Sequence, residues 1–269
     1  MAAVTSESLA ALQRELSEII STSDLGVADE LFAALDVIDD SAGLRRALTE
    51  PAREPDGRAA LVRSLLGSKA QQKTVSMLEA VVSRRWSADR DLGEAIENLA
   101  VTVVAAQAER TGLHGLEELE GALLDFRQTV AASHEVQHAL ADHQAPASAK
   151  QKLASRLSAE VTAEARLLID RAVTAPRGMR PTALIGTFAA TVAARQRRWI
   201  ARVTVAKSLG STYLEKLSTS LDRYFGRELK LDVVVDPNVV GGIRAQVGDE
   251  VVDSTVAARL NSLQRKISR

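Results

Sequence analysis

The chain has 269 residues, and its 34 basic and 35 acidic side chains leave a net charge of −1, whereas a general nucleic-acid binder would carry a basic excess. It contains no cysteine, which excludes disulfides, thiolate metal sites and cysteine catalysis. Hydrophobic residues make up 46%, but we find no run of roughly 18 apolar residues that could span a membrane and no secretory signal at the start, so we expect a soluble protein.

Apolar residues recur at helical spacing through most of the first 200 positions. In chain order, the stripes are Leu9, Leu12, Leu16 and Ile20; Leu31, Leu35 and Ile38; Leu61 and Leu65; Val75, Leu78 and Val82; Leu92, Ile96, Leu99 and Val103; and Leu116, Leu119, Leu123, Phe126 and Val130. Helix breakers lie between them, at Pro51, Pro55, Gly112, Gly115, Pro146, Pro176 and Pro181. Because each stripe needs a partner face, the sequence predicts a mainly α protein built from helical bundles.

An internal repeat relates residues 30–110 to residues 118–199, with a period of about ninety. The aligned segments are Ala47-Leu48 with Ala139-Leu140, then Arg58, Leu61 and Leu65 with Lys150, Leu153 and Leu157, and Ala80-Val81 with Ala172-Val173. The alternative is that all Ala/Leu-rich helices look alike. We predict two related helical modules, 1–112 and 113–200, followed by a small α+β domain at 201–269.

An HExxH pentapeptide occurs at positions 134–138. On a helix, His134 and His138 would share a face and could bind zinc, Glu135 could activate a water, and Glu160 or Glu164 could be a third ligand. However, the motif is followed closely by Pro146, and the repeat places Ala42 and Arg46 opposite the two histidines. We therefore favour a surface helix over a zinc peptidase, and expect no metal.

Other signatures of catalysis are missing from the sequence. It has no Gly-x-Gly-x-x-Gly, no P-loop and no Gly-x-Ser-x-Gly, so we predict no catalytic residue and no cofactor. The basic group Arg195, Arg197 and Arg198 with Trp199 could bind nucleic acid or anionic lipid. A helix C-terminus, where cations meet the helix dipole, is the interpretation we prefer.

The last part of the chain is β-like. Val233 to Val235 form a β-branched run that stops at Pro237, and Ile243 to Val247 predict a second strand. Gly248-Asp249 is a two-residue hairpin signal before a return strand at 250–252. Asp253 or Ser254 can then cap a helix that carries Leu260, Leu263 and Ile267.

Four spaced features of this region resemble the C-terminal signature of the delta subunit family of F-type ATP synthases, whose mitochondrial counterpart is the oligomycin-sensitivity-conferring protein. They are Gly241-Gly242, Val247-Gly248-Asp249, Asp253-Ser254-Thr255-Val256 and Leu260-x-x-Leu263. Thr255 departs from the family pattern, which has Ser directly before Val. The family has one helical bundle before this signature, so the copy at 42–110 is extra, as in longer actinobacterial forms.

The resemblance implies a non-catalytic stator subunit in the peripheral stalk, at the cytoplasmic face of the cell membrane, that needs no nucleotide or metal. Its bundle would accept the N-terminal helices of alpha subunits, and its C-terminal domain would hold the end of the b subunit. We place the alpha contact on Leu9, Leu12, Leu16 and Leu31, and assign a shape-setting role to Gly241, Gly242, Gly248, Asp249 and Asp253. The competing hypothesis is a helical-repeat adaptor for unrelated proteins.

Overall fold

The computed structural model describes residues 3–226, 229–236, 239, 241–248 and 250–253. Its contacts divide the chain into two compact units, Met1–Val192 and Ala193–Arg269. Thirteen α-helices and four strands are described, which confirms a mainly α fold with a small α+β part at the end of the chain. The predicted division into modules at 1–112 and 113–200 and a domain at 201–269 stays a prediction.

The helices follow one another through short connections. They are α1 Ala3–Glu15, α2 Ser17–Thr22, α3 Leu25–Asp40, α4 Ala42–Thr49, α5 Pro55–Leu66, α6 Gln72–Ser83, α7 Asp89–Ala108, α8 Leu113–Ala131, α9 His134–Ala141, α10 Ala147–Leu157, α11 Ala163–Thr174 and α12 Pro181–Gln196. Gly112, with a φ of 82°, starts α8 in a backbone region that favours glycine. The breakers seen in the sequence therefore fall at or next to helix ends, as predicted.

Helix α7 is the centre of the helical unit. Fifteen of its 20 residues are buried, and it packs along α3 and also against α1, α2, α6, α8 and α11. A helix that is buried on all sides must be apolar all round, and small side chains let its neighbours approach closely. Alanine and valine dominate its C-terminal half, between Leu99 and Ala108. One helix thus organises the packing of both halves of this unit.

Helix lengths recur in the same order along the chain. Helices α3 to α7 have 16, 8, 12, 12 and 20 residues, and α8 to α12 have 19, 8, 11, 12 and 16. Ser41 caps α4 and Ser133 caps α9, each accepting a hydrogen bond from the backbone three residues on. Arg58 and Lys150, which the sequence alignment pairs, are both buried. These shared details agree with the period of about ninety residues.

Most of the predicted apolar stripes face the core. The stripes of α3, α6, α7 and α8 are buried in full, whereas the short stripe of α5 was assigned to the wrong face. Leu65 is 43% exposed, and α5 instead buries Arg58, Ala59 and Val62. Two leucines one turn apart do not define which side of an amphipathic helix meets its neighbour.

The C-terminal unit combines a four-stranded sheet with one described helix. Its elements are β1 Ile200–Val205, α13 Ser211–Phe225, β2 Lys230–Val235, β3 Ile243–Val247 and β4 Glu250–Asp253, with the strand order β2-β1-β3-β4. β1 is parallel to β2 and antiparallel to β3, and α13 is the crossover between the parallel strands. Ala201, Val203, Leu221, Leu229, Ala245 and Val247 form its core.

The predicted hairpin is confirmed, because Val247 pairs with Glu250 and Ala245 with Val252. The sequence analysis missed β1 and α13. The helix predicted after Asp253 lies outside the described residues.

Candidate functional site

The four leucines assigned to the alpha contact all lie inside the helical unit. Leu12 and Leu31 have no exposed surface, and Leu9 and Leu16 are also buried. Leu31 belongs to the face of α3 that packs along α7. In the folded helical unit these side chains stabilise the packing, and none is more than 8% exposed to a partner protein. A partner helix would have to contact other side chains on the same helices.

A polar cluster joins α3 to α11. Arg171 is buried, its Nη1 donates a hydrogen bond to the Asp36 carboxylate at 2.7 Å, and its guanidinium lies 4.9 Å from the centre of the Phe32 ring. The Phe32 ring therefore supplies a cation–π contact beside the ion pair. Nε and Nη2 of Arg171 have no hydrogen-bond partner among the described residues. Because Arg171 is buried, removing Asp36 would leave its charge without a paired carboxylate.

A second cluster joins α3, α7 and the turn before α12. Arg177 Nε donates to Asp39 Oδ2 at 2.5 Å, and its Nη1 reaches Glu97 Oε2 at 3.3 Å. Burial raises the pKa of the Glu97 carboxyl, against the positive charges of Arg177 and Arg171. Gly93 lies one helical turn before Glu97, and a Cβ at that position would collide with the Arg177 guanidinium. A side chain at position 93 would therefore displace the Arg177 guanidinium from its present position.

A groove of about 540 Å³ runs beside α3, α10 and α11. Its apolar wall includes Leu25, Phe32, Ala33 and Leu167, and its charged lining consists of Asp29, Asp36 and Asp170 together with Arg166 and Arg171. Burial raises the pKa of the Asp170 carboxyl, against the charge of Arg166. Clefts of this volume hold small molecules or a few side chains of a partner segment. The groove is therefore an accessible apolar feature on the helical unit, whereas the four leucines are not.

Three glycines set the turns of the C-terminal unit. Gly241, Gly242 and Gly248 have φ angles of 65°, 83° and 58°, which residues with a Cβ adopt only with strain. Gly248 lies directly after β3, at the hairpin turn. Asp249 lies outside the described residues, and Asp253 ends β4 opposite Arg244. The glycines thus occupy positions where backbone conformation determines the residue type.

One flank of α13 carries aromatic and basic side chains. Tyr213, Lys216, Arg223 and Tyr224 are all exposed, whereas Leu221, on the inner face, is buried against the sheet. The Tyr224 ring contacts Phe225 edge-on, with 5.0 Å between ring centres. The flank is therefore a surface that the core of this unit does not use.

The HExxH residues lie on a short surface helix. α9 begins at His134, and His134, Glu135 and His138 are exposed. Within the described ranges, no group of three or more His, Cys, Asp or Glu side chains is arranged to hold a metal ion. Of the helices in the same ranges, none is both long and apolar enough to cross a membrane.

Two arginines and two tyrosines described above were not predicted from the sequence as functional residues: Arg171, Arg177, Tyr213 and Tyr224. Arg171 and Arg177 resemble any other helical or loop arginine in the sequence, because their partners lie 135 and 138 positions away. The tyrosines carried a signal, since the chain has only two and they lie 11 positions apart at Tyr213 and Tyr224. That spacing is about three helical turns and places both on one face.

Comparison with known proteins gives consistent results over the whole chain. A family model described as ATP synthase delta (OSCP) subunit matches residues 98–267, beginning inside α7. ATP synthase subunit delta of Pseudarthrobacter chlorophenolicus is 48% identical over 274 residues and that of Renibacterium salmoninarum 47% over 270, with 100% of each chain covered in both comparisons. The Streptomyces avermitilis protein of the same name is 34% identical, with 97% of each chain covered. The chain therefore belongs to the ATP synthase delta (OSCP) subunit family.

Proposed function

We propose that this chain is a stator subunit of the F-type proton-translocating ATP synthase, joining the alpha subunits at the top of the catalytic head to the b stalk. Its similarity to delta subunits over its full length carries the proposal. Rotation of the central shaft exerts torque on the head, and the head must be held still for that torque to do chemical work. The contribution of the chain is mechanical, so it needs no catalytic residue, nucleotide or metal. It acts as a peripheral subunit at the cytoplasmic face of the cell membrane.

The helical unit is the part proposed to hold the alpha subunits. An amphipathic helix inserts its apolar side chains into a groove between helices, and the groove beside α3 and α11 has an apolar wall of suitable size. Because Leu9, Leu12, Leu16 and Leu31 are buried, we propose this groove rather than those leucines as the alpha contact. Because two arginines line the groove beside three aspartates, its apolar wall rather than its charge is the feature proposed to bind the helix.

The C-terminal unit is the part proposed to hold the b stalk. This unit has its own core of sheet and helix residues, so it can act as a separate attachment point. A connection that transmits torque continuously requires a sizeable interface rather than a few charges. The glycine turns would then maintain the shape of the attachment surface without contacting the stalk themselves.

The first copy of the repeat, which includes residues 42–110, is proposed to be an extra helical module. The recurring helix lengths and the paired serine caps support a duplication, and the family match begins only at residue 98. The related delta subunits of similar length also contain this region. We propose that the extra module braces the second one through α3, whose Asp36 and Asp39 bind Arg171 and Arg177.

Reconstitution tests the stator proposal directly. Membrane vesicles stripped of this chain should lose proton-driven ATP synthesis, and adding it back should restore coupling. Affinity purification of the tagged chain should recover alpha and b as the dominant partners. If unrelated proteins dominate instead, the chain is a helical-repeat adaptor. Full coupling in stripped vesicles would contradict the stator role.

A charged substitution in the wall of the groove tests whether the groove binds the alpha subunit. Ala33→Glu puts a charge in the apolar wall and should weaken binding of an alpha N-terminal peptide by at least about ten-fold, because that charge would lose its hydration when an apolar side chain binds there. Ala139→Glu, on exposed α9, is the matched control and should leave binding unchanged. Equal affinity for the two variants would exclude this groove while leaving the stator proposal open to other surfaces.

A further inference from the structure

The chain has two tyrosines, and both are exposed on α13. Tyr213 is 56% and Tyr224 70% exposed, although large aromatic side chains are usually at least half buried. The inner face of the helix already packs on the sheet through Leu217, Leu221 and Phe225. The folding of this unit therefore does not account for two tyrosines on the outer flank.

Two cations lie on the same flank as the tyrosines. Lys216 and Arg223 are exposed, and within the described residues neither forms an ion pair. The carboxylates of the helix, Glu215 and Asp222, lie on its other flank, where Asp222 Oδ1 accepts a hydrogen bond from the Leu229 amide at 2.8 Å. The outer flank thus combines aromatic area with positive charge that none of the described residues of this unit pairs with.

We propose that the α13 flank, defined as Tyr213, Lys216, Arg223 and Tyr224, is a docking face for an acidic amphipathic helix of another protein. Tyrosine and arginine are enriched at protein interfaces, and tyrosine supplies a large contact area at low entropic cost. Lys216 and Arg223 are seven residues apart, or about 10 Å along the axis, so they match carboxylates two turns apart on a partner helix. The inference rests on the proposed function, under which the partner is the end of the b stalk.

The chemistry of the flank favours a protein partner over a lipid surface. A helix that lies in a membrane interface inserts a broad apolar face, and that face of α13 is committed to the sheet. Two cations that lie between two tyrosines along the helix instead suit a partner that presents carboxylates flanked by apolar side chains.

Binding of the full chain to a soluble C-terminal half of the b subunit from the same synthase tests the inference. We compare Lys216→Glu/Arg223→Glu and Tyr213→Ala/Tyr224→Ala with Glu215→Lys, a charge reversal on the other flank of the same helix. Each double variant should weaken binding at least about ten-fold at low salt, and the control should change it less than about two-fold. Circular dichroism checks that each variant is folded, which is expected because the altered side chains are exposed.

The possible results of this experiment distinguish the docking-face proposal from the proposal that the C-terminal unit holds the b stalk. If the unaltered chain binds b and both double variants bind equally well, the docking face is wrong and the stalk attachment stands. If the unaltered chain does not bind b, the attachment and the docking face both fail. Phosphatidylglycerol vesicles are the second probe: if they bind the chain and both double variants abolish that binding while b binding persists, the flank is a lipid site and the acidic-helix proposal is overturned.

Discussion

Arg177 Nε donates a hydrogen bond to Asp39 Oδ2 at 2.5 Å, which joins two residues 138 positions apart. The same guanidinium contacts Glu97, so one arginine links α3, α7 and the turn before α12. The three side chains are only 18%, 27% and 10% exposed, and Arg177 is the cation nearest to both carboxylates. Arg177 also has a φ of 49°, a strained conformation for a residue with a side chain.

Removing the arginine should therefore destabilise the helical unit. Arg177→Met leaves the Glu97 carboxylate without its ion-pair partner and leaves Asp39 with only the more distant Arg45, so it should cost about 3 kcal/mol of unfolding free energy, measured by urea denaturation. Arg45→Met is the control, because Arg45 also pairs with Asp39 but at 3.7 Å and with greater exposure. The control should cost less than about 1 kcal/mol. Similar losses in the two variants would contradict the central role of Arg177.

Adding a methyl group at position 93 should change the stability of the helical unit by displacing Arg177. Alanine is a better helix former than glycine by up to about 1 kcal/mol, but a Cβ on residue 93 would push the Arg177 guanidinium away from Glu97. Gly93→Ala should therefore destabilise the unaltered chain and become stabilising in an Arg177→Ala background. A double-mutant cycle from denaturation curves measures this reversal. Additive effects would show that the close approach has no energetic consequence.

The raised pKa of Asp170 predicts that this residue destabilises the folded chain in a pH-dependent way. An acid whose pKa is raised by folding contributes stability below its usual value of 3.8 and loses it as the pH rises through the folded value. Asp170 Oδ1 is also buried with no hydrogen-bond partner in the described part of the chain. Asp170→Asn should therefore raise Tm at pH 7, and the gain should disappear near about pH 4. Asp125→Asn, at an exposed site in α8, should show no such trend.

Gly242→Val should disrupt the C-terminal unit alone. At a φ of 83° a β-branched side chain is strained, which should cost that unit about 1–3 kcal/mol and weaken its binding to b. Limited proteolysis should then cleave the C-terminal unit while the helical unit persists. Gly210→Ser, at the start of α13 with a φ of −70°, should be tolerated. Unchanged b binding by the valine variant would refute the shape-setting role of Gly242.

Local patterns were sufficient to predict much of this fold. The hairpin at Gly248 follows from a turn signal between β-branched residues, and the stripes of α3, α7 and α8 follow from helical periodicity. β1 escaped prediction because its six residues directly follow a helix end rich in arginine. α13 escaped prediction because its apolar residues Leu217, Leu221 and Phe225 pack on a sheet whose first strand was also not predicted.

The sequence by itself determined the family, the helical character and the turns, because each depends on residues close together in the chain. Only the tertiary structure decided which apolar side chains are inside. Leu31 is buried because α3 packs on α7, and Leu65 is exposed because α5 presents another face to its neighbour. It also decided that Arg171 and Arg177 bind α3, since partners so far apart in the chain meet only when separate helices pack together.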